Sequence, residues 1–117
     1  YEFDPAVLAA GLAGGLMAEL GLASVSPDGG YATADVLNAH GLVTAFRVEE
    51  VLLYKPKLVG QALADRRMGR LEIKNRGVHT DVSALVRQWK NAGDDEATVL
   101  LTRFGGRGWA VVAHRIR

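Results

Sequence analysis

The chain has 117 residues, enough for one domain with a real core, since folded domains most often run about 100 to 150 residues. It is 49% hydrophobic and 23% charged, which leaves no compositional case for disorder, and it has no cysteine, which excludes disulfides, thiolate zinc sites and thiol catalysis and is compatible with a cytoplasmic setting. The formal net charge of +1 hides an uneven layout: residues 1–54 hold one base against seven acids, residues 55–92 nine bases against three, and residues 93–117 four against three, so a near-neutral chain can still present a basic face.

Asp4-Pro5 is a helix entry, because aspartate caps free backbone amides and proline suits the first helical position. The helix is expected to run to about Leu20, with Leu8, Leu12, Leu16 and Leu20 along one side and Gly21 as terminator. Between Ala6 and Val25 only Glu19 is charged, and Gly11 and Gly15 form a GxxxG. The stretch is rich in alanine and glycine and lacks basic flanks, so a buried helix packed through its glycines is the better reading than a membrane span. Ser26-Pro27-Asp28-Gly29-Gly30 reads as a turn, Tyr31 to Thr33 as a short strand, and "LVTAFRVEEVLL", residues 42–53, as a longer one.

A second helix starts near Lys55-Pro56, with Leu58, Val59, Ala62 and Leu63 as its apolar stripe and Gly69 closing it. In "GRLEIKNRGV", residues 69–78, strand alternation turns Leu71, Ile73 and Asn75 to one side and Arg70, Glu72, Lys74 and Arg76 to the other. Asp81 caps a third helix bearing Val82, Leu85, Val86 and Trp89 at i, i+3, i+4 and i+7. Gly93-Asp94-Asp95 ends it, and residues 97–116 form a hairpin turning near Gly105-Gly106. The order α-β-β-α-β-α-β-β predicts an α+β domain spanning residues 1–117, with one mixed sheet and about three helices.

No catalytic constellation stands out. "AGLAGG" lies inside a helix, whereas a dinucleotide or methyl-donor loop needs a strand leading into it. "FGGRG" lacks the lysine and helix of a P-loop and reads as a turn. His40, His79 and His114 have no metal-ligand spacing, so no metal site is expected, and Ser24, Ser26 and Ser83 have no nucleophile-elbow context. What remains is charge. Arg70, Lys74 and Arg76 on the strand, with Lys57, Arg66, Arg67 and Arg87 on the flanking helices, would form a phosphate-reading patch if those surfaces adjoin. The acid in the strand, Glu72, and the lack of exposed aromatics speak against base stacking on a single-strand platform and for recognition of shape and backbone.

"MGRLEIKNRGVHTDVSALVRQWKNAGDDEATVLLTRFGGRGWAVVAHR", residues 68–115, resembles the THUMP-like domain found at the C-terminus of bacterial class I S-adenosylmethionine-dependent methyltransferases. The carrying pattern is the K-x-R-G-V strand end, the Asp-led helix, the acidic turn and the "ATVLLTR" strand. Upstream, "DPAVLAAGLAGGLMAELGLASVSPDGGYATAD" and "FRVEEVLLYKPKLVGQAL" look like the family's first helix and its strand-to-helix passage. Asn75 departs from the pattern where a second base is common, and "HTDVS" lacks a proline after the capping aspartate.

The resemblance implies a non-catalytic domain that handles RNA, tRNA or rRNA, for a methyltransferase domain upstream of Tyr1. The cofactor S-adenosylmethionine would then sit in that upstream domain, which fits the absence here of a methyl-donor loop and of an Asn/Asp-Pro-Pro-aromatic motif. A start on Tyr1 rather than methionine, with a helix signal following at once, accords with a piece of a longer protein. The alternative is a protein-interaction or dimerisation module that docks on the catalytic domain without touching nucleic acid.

Overall fold

Asp4 and Pro5 act as their types predict in a computed structural model that describes residues 1–25 and 30–116. The Asp4 carboxylate accepts the Ala6 amide at 2.8 Å, and Pro5 opens helix α1 (Pro5–Ala9). The expected helix to Leu20 is, however, two helices, because Gly11 takes the left-handed conformation at φ +70° and breaks the hydrogen-bond ladder before α2 (Ala13–Leu20). Leu16 is buried and Leu8 and Leu20 pack at the core's edge, but Leu12, at the break, is 60% exposed. The glycines do not mediate close helix packing either: a Cβ on Gly11 or Gly15 would meet nothing within 4 Å. Gly21 ends α2 at φ +69°, as expected of a helix terminator.

These helices belong to a compact unit of residues 1–46 with Ile116. In it β1 (Glu2–Phe3) pairs with β4 (Val43–Thr44) and β2 (Ala23–Ser24) with β3 (Ala32–Thr33), around a core of Phe3, Val7, Leu16 and Ala32. The turn expected at residues 26–30 lies outside the described residues except for Gly30, as does Arg117.

The second unit, residues 47–115, holds most of β5 (Phe46–Leu53), then α3 (Pro56–Asp65), β6 (Met68–Arg76), α4 (Val82–Gln88), β7 (Asp95–Phe104) and β8 (Arg107–Arg115). The sheet order is β5-β8-β7-β6, with β6 parallel to β7 and β8 antiparallel to it. The α+β class with a mixed sheet is therefore observed, with four helices among the described residues because the first is divided, and with two short strand pairs in the first unit in addition to the four-stranded sheet of the second.

Both helices of this unit lie on one face of its sheet. Val59 and Leu63 of α3, Leu85 of α4 and Trp89, which caps the end of α4, share a core with Ala97, Val99, Leu101, Ala110 and Val112. Burying side chains such as Leu63 and Leu101 contributes about 1.5–3 kcal/mol each. Trp89 locks the helices together: its indole N–H donates to the Pro56 carbonyl at 2.8 Å, and its ring lies so close to Gly60 that a Cβ there would come within 2.9 Å. Leu58 and Val86, expected in the apolar stripes, are 45% and 50% exposed. Helices this short touch the sheet along one i, i+4 row, and each of these residues is rotated off that row by its buried neighbour, Val59 or Leu85.

Gly69 does not close α3. The helix ends at Asp65, Arg67 takes the left-handed conformation at φ +55°, and Gly69 sits within β6 where the register slips between Met68 and Arg70. Two glycines allow this crossing of backbones, since a Cβ on Gly69 would fall on the Gly93 carbonyl and one on Gly93 on the Arg67 carbonyl. Among the described residues no helix is long and apolar enough to cross a membrane.

Gly93→Ala should therefore cost about 2 kcal/mol or more of stability, because backbone must move to admit the methyl group. Gly15→Ala, a helical position facing open space, should be neutral or stabilising by up to about 1 kcal/mol. Urea unfolding followed by far-ultraviolet dichroism compares them, and equal effects would refute the steric account.

Candidate nucleic-acid interface

Strand direction decides which charges meet. The parallel β6 and β7 end together at Arg76 and Phe104, and β5 ends at the same side, where the Tyr54 amide donates to the Gly108 carbonyl at 2.9 Å. The β7–β8 turn is there as well. The short β5–α3 and β6–α4 connections start both helices at this end. It thus collects Lys55, Lys57, Arg76, Arg103 and Arg107, with His79 in the β6–α4 loop, against Asp81 as the one carboxylate among the described residues. The Asp81 carboxylate is engaged in capping α4, accepting the Ser83 and Ala84 amides. Lys55, Lys57, Arg103 and Arg107 are exposed, and among the described residues none of the four is in an ion pair. Lys55 and Lys57 also border a shallow groove with Pro56, Leu58 and Gln88.

The other end is mixed. Arg66 lies 4.0 Å from Glu49 and 3.7 Å from Glu50, and Glu49 also meets Arg47 at 2.9 Å and His114 at 3.6 Å. Arg70 lies 3.9 Å from Glu96 and donates to the Asp94 carbonyl at 2.9 Å. Arg67, whose carbonyl accepts the Asp95 amide, belongs to this end, whereas Arg87 lies in the last turn of α4, next to Gln88.

The seven residues expected to form one patch are therefore not one surface. Lys57, Arg66 and Arg87 sit on the helix layer, whereas Arg70, Lys74 and Arg76 alternate onto the opposite sheet face, in register with Glu96, Leu100 and Thr102. Lys74 and Arg76 are half-buried. Asn75 faces the helix layer with Leu71 and Ile73, as alternation predicts, and has a structural task. Its amide donates to the Val78 carbonyl at 2.8 Å and its Oδ1 accepts the Val78 amide at 3.1 Å, which clamps the turn leaving β6.

Sequence reasoning missed Arg103, Phe104 and Arg107 as a group. The available signal was "RFGGR": a two-residue turn on Gly105-Gly106 makes Phe104 and Arg107 a cross-strand pair, as the register shows. Phe104 is 60% exposed, so an exposed aromatic is present after all. Among the described residues no three histidine or carboxylate side chains cluster as metal ligands would.

A family model described as THUMP domain-like matches residues 43–115, which take in the four-stranded sheet and its two helices. A crystal structure of a "putative methyltransferase from Porphyromonas gingivalis W83" shares the fold at a TM-score of 0.77 and 19% sequence identity, covering 98% of this chain and 29% of that one. The chain thus spans under a third of the solved structure it matches. No curated protein matches it.

Glu72, the acid among the basic residues of β6, is accounted for by its neighbours. Its Oε1 accepts from Arg115 at 2.6 Å and from the Thr98 hydroxyl at 3.2 Å. The Arg115 hydrogen bond, with the nearby Lys74 charge, holds the Glu72 carboxyl below the usual glutamate range against an opposing desolvation. With the folded value depressed, the stabilisation is complete above the unfolded value of about 4.3 and is lost as pH falls through the folded one. The pair is partly exposed, so that stabilisation is small. Arg115→Gln should move the Glu72 midpoint up toward the ordinary range in a carboxyl-detected NMR titration. An unchanged midpoint would show that Arg115 is not the cause.

Proposed function

The chain belongs to the THUMP domain-like family, and from that premise we propose that it is a non-catalytic RNA-contacting domain of a class I S-adenosylmethionine-dependent methyltransferase. In this reading it lies C-terminal to the catalytic domain of a bacterial, cytoplasmic enzyme and presents tRNA or rRNA to it. The methyl donor would bind in that other domain. The supporting observation is the hairpin end of the sheet, where the exposed bases Lys55, Lys57, Arg103 and Arg107, without ion-pair partners among the described residues, gather near Asp81, a carboxylate already used as a helix cap.

Such an end suits a polyanion. Arginine holds phosphate oxygens in a planar fork, and the α3 N-terminus adds its partial positive charge. Of the expected contact residues, Lys57 and Arg76 stay in the proposed interface, and Lys55, Arg103 and Arg107 join them, whereas Lys74, half-buried in mid-strand opposite Leu100, does not. Arg66 and Arg70, beside their carboxylates, are assigned lesser parts, as is Arg67 at the same end, while Arg87 stays a candidate contact on the helix layer.

A second reading has its own observation. The first unit exposes Leu12, Val36, Leu37 and Leu42 at 60%, 70%, 55% and 44%, apolar surface that could dock on a catalytic domain or on a second copy.

Titrating the chain with mixed tRNA separates the two. The RNA reading expects log K to fall linearly with log salt. Arg103→Glu with Arg107→Glu should weaken binding about tenfold or more at low salt and lower the slope by about two, one for each phosphate no longer neutralised. Arg66→Glu with Arg70→Glu should do much less, and equal effects would refute the choice of end. A concentration-dependent dimer in light scattering, with no salt-sensitive RNA binding, would establish the docking role instead.

A further inference from the structure

Phe104 is an aromatic ring that nothing in the fold requires to be outside. It is the last residue of β7, 60% exposed, directly across from Arg107. Gly105 and Gly106, at φ +61° and +76°, form the two-residue turn that fixes this pairing. The Trp109 indole N–H donates to the Phe104 carbonyl at 3.2 Å, and Arg103 Nη2 donates to the Gly106 carbonyl at 3.1 Å, so the tip is tied at both strands. By strand alternation Phe104 and Arg107 share one face of the hairpin, and Arg103 leaves from the other.

We infer that this tip is a stacking platform for an unpaired nucleobase, with Phe104 as the stacking surface and Arg107, on the same face, as a contact to the adjoining phosphate. The inference rests on the RNA-contacting reading above and narrows its ligand to RNA with single-stranded nucleotides. An exposed phenyl ring with a cross-strand arginine on the same face suits a ligand that is both flat and anionic. A nucleotide is both. In a duplex the faces of internal bases are covered by their neighbours, so a platform of this kind acts on loops, bulges and ends.

Fluorescence anisotropy with a labelled single-stranded octanucleotide, the same strand with its bases removed at central positions, and a duplex of equal length tests this on the 117-residue chain. The wild type should prefer the base-bearing strand to its abasic counterpart about tenfold. Phe104→Ala should abolish that preference, leave abasic and duplex binding unchanged and leave the salt slope unaltered, because no charge is removed. Phe104→Trp should restore the preference. Unfolding curves of the variants verify that an exposed side chain was removed without loss of the fold. If Phe104→Ala has no effect, or weakens all three ligands equally, the platform is refuted while salt-dependent RNA binding stands. If the wild type binds none of the three, both readings fall.

Discussion

The parallel pairing of β6 with β7, with Ile73 opposite Val99 and Asn75 opposite Leu101, is the constraint from which the arrangement of the second unit follows. A parallel pair needs a crossover, and α4 supplies it, so β6 and β7 must finish at the same end of the sheet. The same register turns Leu71 and Ile73 toward the helices and the charged residues of β6 away from them. A slip of one residue would bring Arg70, Glu72, Lys74 and Arg76 into the Trp89 core, an arrangement excluded by the cost of burying unpaired charge. Core packing thereby fixes the placement of charges that take no part in it.

From that constraint comes a division of charge along the strand axis. The carboxylates of β5, of the α3 C-terminus and of the segment leading into β7 gather at one end, where Arg66, Arg70 and Arg47 meet them. The bases at the start of α3 and around the β7–β8 turn are left at the other. Net charge conceals this, since the chain is close to neutral. A field of one sign at one end can steer a polyanion without making the whole protein basic, and its reach is about 10 Å at moderate salt.

Local signals are the legible ones. Asp4, Gly21, Pro56, Asp81 and the paired glycines at 105 and 106 act through residues within a few positions, and each does in the structure what its type predicts. The alternation of β6, including the turning of Asn75 toward the core side, is equally readable because a strand has a period of two. What sequence does not supply is the third dimension. Gly11 reads as half of a GxxxG packing face within one helix, whereas it takes the left-handed conformation that divides the helix, with Val7 before the break and Leu16 after it in one small core. Gly69 reads as a helix stop, whereas its role is to let the β6 backbone pass that of Gly93.

The functional surface shows the same limit in another form. Counting charge by segment joins Lys57, Arg66 and Arg87 to Arg70, Lys74 and Arg76 because they are near in sequence, but α3 and α4 lie on the sheet face opposite to that strand row. Arg103 and Arg107, hidden in a tail of little net charge, are brought by the hairpin to the end where Lys55 and Lys57 start α3. The two-residue turn sets Phe104 and Arg107 opposite each other on one face of the hairpin, with Arg103 on the other, on a backbone already fixed. In the RNA-contacting reading proposed above, a ligand would meet a backbone already ordered by turn and strands, and binding energy would not be spent on arranging it.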